Sequence, residues 1–286
     1  MESKILKPAE IREITIKAGE TKAKIGLSQG IILGILAGAF VAIGGAVASV
    51  GTHSITNVGL SKLVGGALFP IGLILVIICG AELFTGNSLM FLGVLEGRVS
   101  FKKLLRNWII VYISNFVGAI IISFLVFQSG MLNLSGRKLG GSVIKVAAAK
   151  GGLSFGPAFA SGILCNMLVC LAVWGATASK DVIGKVVMSW FPVMTFVTCG
   201  FEHCIANMYF LTVGIFAKSN VAYVQASGLT PEKLALVSGK GIFNNLLPVT
   251  LGNIVGGAVL IAGAYFLAYK SNVSSVNNSY SATTNK

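Results

Sequence analysis

Glu202 and His203 stand in the middle of CGFEHCIANMYF (residues 199–210), a stretch otherwise as apolar as a membrane span. Glu82 stands in CGAELFTGNSLM (79–90), with Cys, Gly, Glu and Asn at matching offsets. An ionisable side chain at such a place is expensive, and inside a membrane it marks a solute pathway by default. His203 could donate a hydrogen bond to a passing anion or hand it a proton. Its counterpart in the first stretch is Leu83, so His203 is the specialised member of the pair. Glu82 and Glu202 recur in both stretches and read as scaffolding: a carboxylate beside a helix break can satisfy the free N–H groups of the half-helix that follows. A metal site from Cys199, Glu202, His203 and Cys204 lacks a second His-rich partner and is set aside. The large apolar residues around the two stretches (Phe69, Leu73, Leu83, Phe84, Phe196) read as packing, or as rings at a pore that resist bare ions.

The chain that must position these groups has 286 residues, 55% of them hydrophobic and 11% charged, with a mean hydropathy of +0.85. Soluble domains carry roughly 25% charged residues, so this chain could not cover a globular surface. It reads as a membrane protein. The net charge of +13 does not imply nucleic acid, because the basic residues lie between apolar segments rather than in a stripe with aromatics. All five cysteines fall within apolar segments and read as small buried hydrophobes. The charged N-terminus does not resemble a signal peptide.

Six apolar segments are expected, at 26–50, 63–95, 107–127, 153–178, 186–217 and 241–269. The second and fifth exceed 30 residues, about 45–50 Å as straight helices, against a hydrocarbon core of about 30 Å. Both are therefore predicted to be broken, at 82–87 and 202–207. Residues 1–25 are predicted to include a cytoplasmic amphipathic helix with Ile11, Ile14 and Ala18 on its apolar face. Residues 26–270 form the membrane domain, and the Ser/Asn/Thr-rich tail, 271–286, is expected to be disordered. With both termini inside, fourteen Lys and Arg fall on the inner side and eight outside, which favours a cytoplasmic-membrane protein of that orientation.

The second half repeats the first. The two polar skeletons lie 120 positions apart, "GIL" at Gly34 recurs at Gly162, and "FP" at Phe69 recurs at Phe191. NWIIVYISNFVGA (107–119) matches NLLPVTLGNIVGG (245–257), with both Asn kept. Repeat one spans about 26–127 and repeat two about 153–269. Three spans per repeat is an odd number, so the second must insert upside down. Inverted repeats with one broken helix each are an architecture for moving solutes through a midplane site, and half-helix N-termini aimed there favour an anion or polar neutral solute.

GAELFTGN and GFEHCIANM resemble the two pore-loop signatures of the formate/nitrite transporter family, and NMLVCLAVW (166–174) and PVTLGNIVGG resemble its fourth and sixth spans. The similarity runs over about residues 10 to 270 and looks closest to the family's clostridial hydrosulfide-channel branch. It implies an all-α, aquaporin-like fold and a homopentamer with one pore per protomer. It also implies roles for single residues. His203 matches the central pore histidine and Thr85 the hydroxyl facing it. Leu73, Phe84 and Val169 match the cytoplasmic constriction, and Phe69, Leu83 and Phe196 the outer one. Asn166 and Asn207 match polar pore residues. Lys150, by itself an ordinary loop charge, matches a vestibular lysine. The resemblance implies a channel for small monovalent weak-acid anions, hydrosulfide first, then formate and nitrite, with no cofactor and no catalytic group. The alternative is a proton-coupled transporter moving the neutral acid. A water or glycerol channel would need Asn-Pro-Ala repeats, which are absent, and a membrane enzyme would need more than one His.

Overall fold

The computed structural model describes residues 5–269; the tail expected to be disordered lies outside them. Among the described residues the chain is helical, with one isolated pairing of Ile5 with Ser179. The helices are α1 (Pro8–Ala23), α2 (Leu27–Thr52), α3 (Val58–Leu68), α4 (Ile71–Cys79), α5 (Phe91–Leu95), α6 (Phe101–Gln128), α7 (Lys138–Gly151), α8 (Phe155–Ala178), α9 (Val182–Cys199), α10 (Cys204–Lys218), α11 (Val221–Ser227), α12 (Pro231–Ala235), α13 (Gly239–Ile254) and α14 (Gly263–Ala268). Six stretches of the described residues are long and apolar enough to cross a membrane: α2, α3 with α4, α6, α8, α9, and α13 continued through α14. Starts are fixed locally. Asn57, Ser100, Asp181 and Ser238 each accept a hydrogen bond from a backbone N–H of the first turn.

Both long apolar segments are interrupted. α4 stops at Cys79, the chain runs without helix to a 3-10 turn at Gly86–Met90, and α5 follows. α9 stops at Cys199, and α10 begins at Cys204. Each stop falls on a glycine with positive φ, Gly80 at 76° and Gly200 at 75°, where any other residue would be strained. The halves differ after the break: α10 continues for 15 residues, whereas the first half has only the 3-10 turn and the five-residue α5.

The halves pack alike. α2 lies against α6 as α8 lies against α13. In the second seam the backbones come so close that a Cβ on Gly162 would sit 2.8 Å from the Val249 carbonyl. α1 packs on the turn and α5 after the first break, as α7 packs on α10. α1 thus has a helical twin in a stretch read from sequence as a connecting loop. Its buried face also differs from expectation. Ile11, Arg12, Thr15, Ile16, Gly19 and Ala23 are buried, while Ile14 and Ala18 are exposed. The reason is that α1 packs on protein, and ion pairs hold it there: Arg12 to Glu96, and Arg98 to Glu13 and Glu20 at 2.8 Å.

Candidate functional site

The two breaks are pinned by matching side-chain networks. Asn115 on α6 donates to the carbonyls of Gly34 (2.7 Å) and Glu82 (2.9 Å), and accepts from Phe84 N–H (3.0 Å). Asn253 on α13 does the same with Gly162 (2.7 Å), Glu202 (3.0 Å) and Cys204 N–H (2.9 Å). Each network satisfies backbone groups that a helix break would otherwise leave bare in an apolar interior.

Both glutamates are buried and paired with a lysine. Glu202 meets Lys150 Nζ at 2.8 and 3.0 Å, and accepts from Asn207 Nδ2 at 2.6 Å. Glu82 meets Lys22 Nζ at 2.6 Å and accepts from Asn87 Nδ2 at 2.7 Å. Asn87 and Asn207 each donate further, to Asn107 and Asn245. Sequence reasoning missed Lys22. The signal was present: the 128-position offset that pairs Gly34 with Gly162 also pairs Lys22 with Lys150.

Three cavities lie around these networks. The first, about 240 Å³, is lined by Lys62, Lys150, Glu202, Asn207 and Phe210, among others. The second, about 390 Å³, is lined by Lys22, Glu82, Asn87 and other residues of the first break. Between them is a chamber of about 10 Å³, walled by Val41, Phe69, Leu73, Leu83, Val169, Val193, Phe196 and His203. The chamber shares Phe69, Phe196 and His203 with the first cavity, and Leu73 and Leu83 with the other. The chamber therefore adjoins both larger cavities, which flank it as two vestibules. At that volume the chamber holds one water at most.

The chamber is itself built on the repeat. Val41 corresponds to Val169 across an offset of 128, and Leu73 to Val193, like Leu83 to His203, across 120. Val41 and Val193 were not singled out from sequence, where nothing separates them from other buried valines. Phe69 and Phe196 break the symmetry and meet edge to face with centroids 6.0 Å apart.

His203 caps α10. Its Nδ1 accepts from Ala206 N–H at 3.1 Å, and its Nε2 lies 2.8 Å from Thr85 Oγ1. With Nδ1 accepting, the ring proton sits on Nε2, which donates to Thr85. An imidazolium would have no acceptor left for Ala206. The only polar wall of an apolar chamber is thus a neutral imidazole presenting one N–H.

The structure gives three of the expected pore residues other surroundings than the resemblance implies. Phe84 lines none of the three cavities. Its ring packs on Trp108 and Tyr112, at 5.9 and 5.0 Å, because adjacent loop residues point opposite ways and Leu83 takes the inward side. Leu83 in turn adjoins the vestibule with Leu73, not the one bounded by Phe69 and Phe196. Asn166 lines none of the three either. It is fully buried, and its amide donates to Ser88 Oγ (3.0 Å) and to the Asn253 carbonyl (2.6 Å), tying α8 to both halves. Among the described residues no three His, Cys, Asp or Glu side chains converge as a metal would need.

Six apolar spans, two helix breaks and a chain of vestibules and chamber define a multi-pass membrane transport protein. The family described as formate/nitrite transporter is matched over residues 9–267. A probable formate transporter from Methanothermobacter thermautotrophicus is 41% identical over 94% of this chain and 99% of its own length. Formate channel FocA of Escherichia coli K12 is 36% identical over 93% and 95%. A solved pentameric formate channel with formate bound superposes with a TM-score of 0.77 at 37% identity, covering 86% of this chain and 98% of that one. The chain belongs to the formate/nitrite transporter family, whose members are channels and transporters rather than enzymes.

Proposed function

We propose that the protein is a homopentameric channel of the cytoplasmic membrane, both termini inside, for small monovalent anions of weak acids: formate, nitrite and hydrosulfide. The observation that carries this reading is the serial arrangement itself, an apolar chamber of about 10 Å³ whose single polar group is the N–H of His203. A bare anion crossing such a chamber faces an idealised desolvation cost on the order of 20 kcal/mol at ε ≈ 4. A donor midway offsets part of that cost without requiring a binding cage. Formate is favoured as the first substrate to test by the names of the relatives, and pentamer assembly by the pentameric state of the solved neighbour.

At about 10 Å³ the chamber is too small for formate, so transit requires Phe69 and Phe196, then Leu73 and Leu83, to turn aside. The anion competes with Thr85 Oγ1 for the Nε2 proton of His203 while inside. If it leaves with that proton, the species crossing the second ring is the neutral acid; if not, the bare anion crosses.

The decisive experiment is flux into proteoliposomes of formate, nitrite, hydrosulfide and chloride, with an internal pH indicator. The three weak-acid anions are expected to pass faster than chloride. An internal pH that follows only the membrane potential identifies anion conduction. Acidification coupled one to one with uptake identifies the neutral acid. Equal rates for all four, or none above protein-free vesicles, overturns the reading.

A further inference from the structure

The two vestibules do not carry the same charge. In the first, Lys150 is matched by Glu202 at 2.8 Å, and in the other Lys22 is matched by Glu82 at 2.6 Å. Each pair is neutral as a unit. The first vestibule also contains Lys62, on the α3 face that continues through Gly65 to the gate residue Phe69. No ion pair to Lys62 occurs among the described residues. Its amine lies over the positive-φ turn at Gly200, where a Cβ would come within 2.8 Å of Nζ. The FP echo, 122 positions apart, pairs Lys62 with Gly184 on α9, which lines neither vestibule. One mouth therefore has a net positive charge, and its twin has none.

We infer that Lys62, not Lys150, is the residue that concentrates anions at the pore, and that it makes the two mouths electrically unequal. The inference rests on the reading that small anions cross here, and it adds which residue collects them and on which side. Seven residues at 1.5 Å rise put Lys62 about 10 Å along α3 from Phe69. That is about one Debye length at 0.1 M salt, and well inside it at 0.01 M. A unit charge acting through water over about 10 Å changes local anion occupancy by about two-fold. Lys150 acts differently: its field beyond the vestibule wall is cancelled by Glu202.

The test is a thiol reporter in the same vestibule that does not depend on permeation. Thr52 lines the cavity opposite Gly65, with its Cγ2 3.3 Å from where a Gly65 Cβ would lie. Thr52→Cys, in a full-length background with Cys79→Ser and Cys199→Ser, is modified with a negatively charged and with a neutral thiol reagent. At about 10 mM salt, adding Lys62→Gln is expected to slow the anionic reagent about two-fold and leave the neutral one unchanged. Lys62→Arg should keep the wild-type ratio, and Lys62→Glu should slow the anionic reagent further. In about 1 M salt the differences should vanish. An anionic-to-neutral ratio untouched by Lys62→Gln at low salt, in an oligomer of normal size, overturns the proposal. So does a larger fall with the double variant Lys150→Met, Glu202→Gln, which removes the neutral pair whole. In planar bilayers with symmetric low-salt formate, the current of the wild-type protein should rectify, and Lys62→Gln should make it more symmetric. If no formate current exists, the channel reading fails, while the thiol ratio still decides the role of Lys62.

Discussion

The Lys150–Glu202 pair makes a quantitative prediction about what holds the second break. Glu202 is buried, with a side chain 9% exposed, and Lys150 has one 17% exposed. Lys150→Met removes the cation but keeps most of the volume, leaving a carboxylate in an apolar interior. Breaking a buried pair from one side costs about 3–5 kcal/mol. Glu202 keeps its 2.6 Å bond from Asn207 and the longer one from Asn245, so the low end applies, about 3 kcal/mol. Adding Glu202→Gln removes the stranded charge and should recover about 2 kcal/mol of that loss. The assay is unfolding in mixed micelles of rising SDS fraction, followed by circular dichroism, on wild type, both single variants and the double. A Lys150→Met protein within about 0.5 kcal/mol of wild type would refute the reasoning. So would a double variant no more stable than Lys150→Met.

His203→Phe should abolish weak-acid anion flux in an intact oligomer, since it removes the chamber's only N–H. His203→Asn, which keeps a donor without a titratable proton, should retain flux if hydrogen bonding suffices, and lose it if the proton is handed over. Both are read by the proteoliposome assay. Phe196→Ala opens the ring shared by chamber and vestibule, and should raise flux and admit larger anions; an unchanged anion series would return Phe196 to plain packing. Gly200→Ala strains a turn at φ 75° and should destabilise the protein by about 1–2 kcal/mol, measured as above. On α1, the hydrogen bond from Arg98 holds the Glu20 carboxyl below its ordinary pKa of 4.5. That contribution to the docking of α1 is present above the ordinary value and is lost as pH falls through the depressed one. Hydrogen exchange along α1 should therefore quicken in that acid range, and Arg98→Gln should remove the dependence.

The sequence carried the apolar spans because span length is set by bilayer thickness, and it carried the breaks because Glu82, Glu202 and His203 are costly anywhere else. Both Asn of each third span were also visible as an echo, and they turn out to be the pins, Asn115 and Asn253, and the network members, Asn107 and Asn245. What stayed hidden depends on direction in space. A sequence does not say which of Leu83 and Phe84 points inward, since both are bulky and apolar. Asn166 is polar and mid-span, but its amide faces Ser88 and a carbonyl instead of a cavity. Lys22 was overlooked because no single offset aligns the halves: it is 128 for the first helices, 120 at the breaks and 138 at the third spans. Loop lengths differ between the repeats, so a fixed-period comparison loses the twins on either side.

Asn115 and Asn253 also set the clock of the pore. Each fastens its break to two other chain segments through three hydrogen bonds, so the breaks cannot swing without giving up several bonds at once. The parts left free to move are the side chains of Phe69, Phe196, Leu73 and Leu83, which turn about single bonds. Such turns are faster than the microsecond-to-millisecond motions of whole loops and helices. On the proposed function, openings of this pore should therefore be brief flickers, averaged in an electrical recording into a smooth current with no long-lived open and shut levels.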